Sequence, residues 1–154
     1  ILNPGVYCLG DDFRVTGSSR LTGSDVFIIM VGGSIDTSRG SLVNLTAATH
    51  QWTLGELSAW ENMLIYVYPD NDGVVNLGGG NASTYIGTIY ASSPPHAESQ
   101  PKCAIGGETK AGDKLSVKGQ VICYTITVHG NADIDVTYTS SNVSQTPQNI
   151  TLVR

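Results

Sequence analysis

Short runs of alternating apolar residues recur along the chain about every 20 residues, and corners rich in Gly, Asn and Ser separate them. The offset from Val6 to Val26 is 20 residues, and that from Leu64 to Ile86 is 22. Two longer offsets, of 38 and 35 residues, each contain one irregular segment. This period favours a parallel β-solenoid, in which each repeat buries its inward side chains by stacking on the next. A β-sandwich is the rival, because its strands and turns are equally short.

The clearest run spans 119–128 and reads Gly-Gln-Val-Ile-Cys-Tyr-Thr-Ile-Thr-Val. Its period of two, and its β-branched and aromatic residues, predict one strand. Gly130 and Asn131 then supply a turn that tolerates positive φ, and alternation resumes at 134–138. Strand, small polar corner and strand form the repeated unit.

The sequence predicts one domain over 1–154, because 154 residues suffice for a single substantial core. We expect an all-β fold, a short right-handed parallel β-helix with two loop insertions near 47–62 and 92–114. The first insertion holds a helix-like patch, and the second is an exposed loop rich in Pro and Gly. Residues 139–154 are expected to form a tail strand. Charged residues make up only 14% of the chain, which argues against long helices.

Charge and hydropathy exclude two classes of partner. The formal net charge is −5, and the sequence shows no basic stripe of the kind that binds phosphates, so no nucleic-acid partner is expected. No apolar run approaches the roughly 20 residues of a membrane helix, so the mature chain is not expected to span a membrane. The sequence starts at Ile1 without Met or a signal segment, which predicts a processed form or a fragment.

Three cysteines, Cys8, Cys103 and Cys123, are candidates for disulfide formation. Cys103 and Cys123 can pair, which would leave Cys8 free or bonded to another subunit. Three buried thiols are the alternative. A structural disulfide needs an oxidising compartment, so pairing would fit a secreted protein.

Four Asn-x-Ser/Thr sequons are candidate glycosylation sites, at Asn44, Asn81, Asn142 and Asn149. Chance alone yields several sequons in a chain rich in Asn, Ser and Thr. They favour an extracellular or cell-surface location.

Asp70 and Asp72 are candidate calcium ligands, because 70–73 places oxygen ligands at alternate positions. The Glu that completes an EF-hand loop has no counterpart, since position 81 is Asn. A turn between strands explains the same residues. No other cofactor is expected.

Acid pairs suitable for cleaving polysaccharides occur at Asp11–Asp12 and at Asp133 and Asp135. The second pair has the parity of an outer strand face, where solvated carboxylates are the simpler interpretation. The chain has three histidines, His50, His96 and His129. No nucleophile motif adjoins any of them, and we predict no catalytic residues.

Trp52, Trp60, Tyr66 and Tyr68 are candidates for an aromatic platform that binds sugars. Such residues also commonly cover a hydrophobic core. Carbohydrate binding is therefore the weaker interpretation.

Strand-and-turn runs occur at 26–34, 43–47, 86–91 and 117–131. Through these runs, much of the chain resembles the carboxy-terminal region of bacterial envelope proteins related to the Tad/Flp pilus-assembly (TadE/TadG-like) group. It implies an exported, non-enzymatic β-helical surface module. The cysteines and the long segment at 92–114 depart from the family pattern, which leaves partner and assembly mode open.

These observations predict an extracellular structural subunit of a surface filament, pilus or envelope assembly. Its partners would be copies of itself or other envelope or pilus proteins, joined through solenoid ends. Cys8 and Cys123 are expected at equivalent places in the first and last repeats, so stacking would bring them together. The tail residues Ile150, Leu152 and Val153 would add a strand to a neighbour or cap their own end. The alternatives are a carbohydrate-binding adhesin and a β-helical polysaccharide lyase.

Overall fold

The computed structural model describes residues 1–37, 40–50, 52, 60–80, 82–91, 102–106, 115–130 and 132–135. These residues form fifteen β-strands, in three five-stranded sheets, and no helix. Every third strand along the chain joins the same sheet. Three consecutive strands, one from each sheet, therefore form one repeat, and the described residues contain five repeats.

The first sheet contains β1 (Gly5–Leu9), β4 (Val26–Met30), β7 (Met63–Val67), β10 (Thr88–Ala91) and β13 (Val121–Cys123). The second sheet contains β2 (Phe13–Val15), β5 (Ile35–Thr37), β8 (Val75–Leu77), β11 (Lys102–Gly106) and β14 (Thr125–His129). The third sheet contains β3 (Arg20–Gly23), β6 (Leu42–Thr46), β9 (Thr84–Ile86), β12 (Leu115–Lys118) and β15 (Ala132–Asp135).

Every described strand pairing is parallel. Sandwich sheets are antiparallel, so the sandwich alternative is wrong for this part of the chain. Neighbours in each sheet lie one repeat apart, as when Gly5 pairs with Val26. The all-β class is confirmed, and the arrangement is consistent with a β-helix or solenoid. Among the described residues, no helix is long and apolar enough to cross a membrane.

The core consists of rows of inward side chains that run from repeat to repeat. In the second sheet one row passes through Val75 and Cys103, and the adjacent row passes through Leu77 and Ile105. All four side chains are buried. Because strand side chains alternate between faces, only every second residue has to be apolar.

A buried polar network joins the second and third sheets inside the core. The Gly78 amide donates to Thr37 Oγ1 at 2.8 Å, and the Tyr85 hydroxyl donates to the Gly78 carbonyl at 2.9 Å. The Thr37 and Tyr85 hydroxyls are also bonded to each other, at 2.8 Å. Burial raises the pKa of Tyr85 well above its usual range, and the hydrogen bond with Thr37 opposes this effect. The residues that form this network carry no local pattern from which it could be predicted.

The prediction of one strand over 119–128 is wrong. The chain bends at Tyr124, so that 121–123 lie in the first sheet and 125–129 in the second. The bend also reverses the alternation. Before the bend, the odd-numbered Cys123 points inward. After the bend, Ile126 aligns with buried Cys103, so the even-numbered residues point inward.

The predicted insertion at 47–62 lies between β6 and β7, and most of its helix-like patch lies outside the described residues. The exposed loop predicted over 92–114 contains β11, which is a core strand. Cys103 and Ile105 provide the apolar alternation there, and the surrounding Pro and Gly obscured it. The tail at 139–154 lies outside the described residues.

Candidate functional site: the open end of the last repeat

Within the described residues, the last repeat comprises β13, β14 and β15, and two of its inward side chains are exposed. Ile126 and Val128 continue the inward rows of Cys103 and Ile105, with which they pair in register. Cys103 and Ile105 are 2% and 0% exposed, whereas Ile126 and Val128 are 44% and 50% exposed. These two side chains have the position of core residues and the exposure of surface residues. Nearby Tyr124 is also exposed.

The amino-acid sequence alone does not predict this open end. Ile126 and Val128 lie in the most regular run of the chain, and such regularity is typical of a central strand. Within the described residues only β15 follows β14, so these rows have no next partner there.

A disulfide between Cys103 and Cys123 attaches this repeat to the preceding one. The two Cα atoms are 6.0 Å apart, and the cysteines are separated by 20 residues in the chain. Cys103 lies in β11 and is fully buried, while Cys123 in β13 is half-buried and packs against the core. The disulfide therefore links the second sheet of the fourth repeat to the first sheet of the fifth. It is compatible with an extracellular location.

Cys8 is a free, exposed thiol. It aligns with Ile29, and the same row continues through Tyr66 and Tyr90 to Ile122. The equivalent of Cys8 in the last repeat is thus Ile122 and not Cys123. Because one residue separates the two faces of a strand, Cys8 lies on the outer face. The prediction that Cys8 and Cys123 occupy equivalent places is wrong, and Cys123 is bonded within its own chain.

The predicted aromatic residues gather on the outer face of the first sheet. The Trp60 and Tyr66 ring centroids are 4.3 Å apart and nearly perpendicular, and the Tyr66 and Tyr90 rings stack at 5.7 Å. Tyr68 lies edge-on to Tyr66 at 6.1 Å. Desolvation, followed by the neighbouring Tyr90 and Tyr68, raises the pKa of Tyr66.

The rings in this aromatic group contact one another, two pairs stacked and two pairs edge to face. Trp60 stacks on Phe27 at 6.0 Å, and Trp52 packs against the same outer cluster. A sugar that binds to an aromatic platform stacks on an exposed ring face, and contacts between the rings cover several faces in this group. The rings act as a second, outer core, and carbohydrate binding stays a prediction.

The turn that holds the predicted calcium ligands is built around Asn71. Its Nδ2 donates to the carbonyls of Met30 and Gly33 at 3.3 and 3.1 Å, and its Oδ1 accepts from the Gly73 amide at 2.9 Å. Asn71 is buried, whereas the flanking Asp70 and Asp72 are exposed. Among the described residues, no three His, Cys, Asp or Glu side chains converge as a metal site. Asp, Asn and Gly are typical residues of turns, so the turn itself accounts for the residues at 70–73.

The acid pair Asp11–Asp12 lies at a corner between the first and second sheets. Asp12 accepts from the Ser34 amide at 2.9 Å and pairs with Arg14 at 2.6 Å. The Ser34 hydrogen bond, followed by Arg14, lowers the pKa of Asp12 below its ordinary value of 3.8. A carboxylate held in its ionised form in this way is a poor general acid.

The other predicted acids and the histidines do not assemble into a described site. Asp133 and Asp135 pair along the backbone with Ser116 and Lys118 of β12. His50 and His129 are both exposed and lie on different parts of the fold. His96 lies outside the described residues.

Only one of the four predicted glycosylation sites can be placed. Asn44 lies in the middle of β6, and its Oδ1 accepts from the Thr84 amide at 3.1 Å. The other three sequons, at Asn81, Asn142 and Asn149, lie outside the described residues.

Comparison with known proteins was made by three routes. A scan against protein-family models, a search of curated proteins and a search of solved structures each found no match. The resemblance to the Tad/Flp pilus-assembly group therefore stays a prediction.

Proposed function

We propose that this protein is a non-enzymatic structural subunit of an extracellular surface filament, pilus or envelope assembly. In this proposal its sheets close into a right-handed parallel β-helix, and copies associate through the ends of that helix. One observation carries the proposal, namely that the core rows of the last repeat continue to Ile126 and Val128 and are about half exposed there.

The physical argument is that a stacked repeat buries its apolar residues only against its neighbours. Burying the exposed halves of Ile126 and Val128 would contribute about 1 kcal/mol for each side chain. Among the described strands, the outer edges of β13, β14 and β15 have no neighbour, and they present backbone groups to which a further parallel strand can bond.

A second copy of this chain is a suitable partner. Its first repeat offers strands of the same polarity in the same three sheets. The inward side chains Tyr7, Leu9 and Phe13 of that repeat pack against the core and are only partly buried. Stacking the first repeat of one copy on the last repeat of another uses two different surfaces. Such a head-to-tail contact leads to open filaments unless the rotation closes a ring.

The extracellular part of the proposal is supported by the disulfide, because disulfides persist in oxidising compartments. The low content of charged residues, 14%, suits a protein in which outward strand faces are covered by Ser, Thr and Asn. The tail residues Leu152 and Val153 would, in this proposal, either pair with a neighbouring copy or cover their own end.

The test uses the double substitution Ile126→Asp and Val128→Asp in the full chain. Val31→Asp is the matched control, because Val31 is 53% exposed and lies at a corner in the second repeat. We expect the wild type to associate end to end as concentration rises, in sedimentation velocity and negative-stain images. The double variant should stay monomeric, and the control should behave as the wild type.

Two results would count against the proposal. One is a wild-type protein that stays monomeric over the accessible concentration range. The other is association that the control substitution weakens as much as the double variant does. A Leu152→Asp variant separates the two roles of the tail, since association falls if the tail joins a neighbour and rises if it covers its own end.

A further inference from the structure

We propose that the Cys103–Cys123 disulfide is a redox latch on the last repeat. While the disulfide is intact, it holds β13, β14 and β15 in place as the associating end. When a dithiol reductant opens it, the last repeat loosens and end-to-end association is lost. The latch itself depends only on the fold, and its effect on association rests on the proposed function.

The first observation is that the last repeat is held from one side. In the described residues, β13 pairs only with β10, β14 only with β11, and β15 only with β12. A strand in the middle of a sheet, such as β7, pairs with neighbours on both sides. The last repeat therefore has half the strand pairing of an interior repeat, and local opening is expected to begin at such an edge.

The second observation is where the disulfide crosses. It joins β11 to β13, which belong to different sheets and different repeats. β13 pairs over three residues and, in the described residues, only with β10, so its backbone is held from one side. While β11 and β12 stay folded, opening β13 releases only the segment 119–123, and constraining a loop of about five residues changes an opening equilibrium by on the order of thirtyfold.

The third observation is access. Cys123 is half-buried in the terminal repeat, whereas Cys103 is fully buried one repeat further in. A reductant thiolate can therefore attack Cys123 Sγ from the open end. A partner stacked on that end would cover Cys123 and slow the attack.

The electron balance of this step is that of ordinary thiol–disulfide exchange. The thiolate of a dithiol attacks Cys123 Sγ, the Cys103–Cys123 bond breaks, and Cys103 leaves as a thiolate. The second thiol of the reductant then attacks the mixed disulfide and releases Cys123. The reductant becomes a cyclic disulfide, and its two protons end on the two cysteine thiols.

Cys8 has to be removed from the test because it is a free, exposed thiol. It lies on the outer face and outside the proposed latch. Cys8→Ser is thus both the parent background and the control for loss of a thiol. The latch variant adds Cys123→Ser to this background.

The first arm measures amide hydrogen exchange of the Cys8→Ser protein with and without dithiothreitol, at a concentration where it is monomeric. We expect exchange in β13 and β14 to become on the order of thirtyfold faster after reduction. Exchange in β4 and β7 should stay the same, which shows that the fold persists. The latch variant should match the reduced parent. Unchanged protection of β13 and β14 would overturn the latch, and so would equal loss of protection in β4.

The second arm measures association of the oxidised and reduced Cys8→Ser protein. We expect association in the oxidised sample only, and slower reduction by dithiothreitol as protein concentration rises. Equal association of both samples would overturn the link between latch and assembly. An oxidised protein that never associates would refute the proposed function, and the first arm would still decide the latch.

Discussion

The substitution Thr37→Val tests the buried polar network directly. It replaces a hydroxyl with a methyl of nearly the same shape at a position that is 1% exposed. Thr37 Oγ1 accepts from the buried Gly78 amide at 2.8 Å, so the substitution leaves that N–H without this partner. The comparison is Tyr85→Phe, which removes the other hydroxyl of the network.

The magnitudes differ because the two substitutions leave different groups unpaired. A buried donor without a partner costs about 1–3 kcal/mol, so we expect Thr37→Val to lower the free energy of unfolding by about 2 kcal/mol. Tyr85→Phe removes a donor from the Gly78 carbonyl, but Thr37 Oγ1 lies 3.0 Å from that carbonyl and can donate instead. We therefore expect a loss of about 1 kcal/mol, the net value of one hydrogen bond.

Urea unfolding followed by circular dichroism measures both losses, with the disulfide oxidised and the protein monomeric. Thr127→Val is the control, because it makes the same chemical change on an exposed strand and should alter stability by less than about 0.5 kcal/mol. Exchange of the Gly78 amide should accelerate beyond the global change in Thr37→Val only. A Tyr85→Phe loss equal to or larger than that of Thr37→Val would refute this reasoning.

Three further predictions concern corners and pH. Gly33 has φ +71°, and a Cβ there would strike the backbone of the neighbouring repeat, so Gly33→Ala should destabilise the protein by at least about 2 kcal/mol. Gly10→Ala, which places its Cβ in open space, should leave the stability unchanged in the same urea assay. Asn71→Asp should be more destabilising in thermal unfolding than Asn71→Ala, since a carboxylate would face the Gly33 carbonyl that now accepts a hydrogen bond. Tyr85 has a folded-state pKa above its ordinary value of 10.0, so the folded state binds the proton more tightly. The stability that this group contributes is present below pH 10.0 and is lost as pH rises further, and Tyr85→Phe should flatten that alkaline loss in unfolding experiments from pH 9 to 11.

Part of the candidate site can be inferred from the sequence alone. The chain has three cysteines, which made the pairing of Cys103 with Cys123 one of the options. The sequence did not decide between pairing and free thiols. It also misplaced Cys8, because Cys8 and Cys123 follow similar apolar residues, and only the strand register shows that they face opposite sides.

The turn at 69–73 shows why short polar motifs are ambiguous. The same Asp and Asn residues fit a calcium loop and a corner between strands. The distinction depends on whether the central amide bonds to another repeat, as Asn71 does with Met30 and Gly33. Such contacts span some 40 residues of chain and have no local signature.

By itself, the sequence determined the all-β class and the approximate period, because alternation and small polar corners are local properties of the chain. It favoured parallel stacking but left a sandwich open, and the strand pairing decided between them. Only the tertiary structure decided the bend at Tyr124, the strand β11 within a segment rich in Pro and Gly, and the open rows at Ile126 and Val128. The physical reason is that alternation tells which residues share a face but not which face is covered. Whether a side chain is buried depends on the repeat stacked beside it.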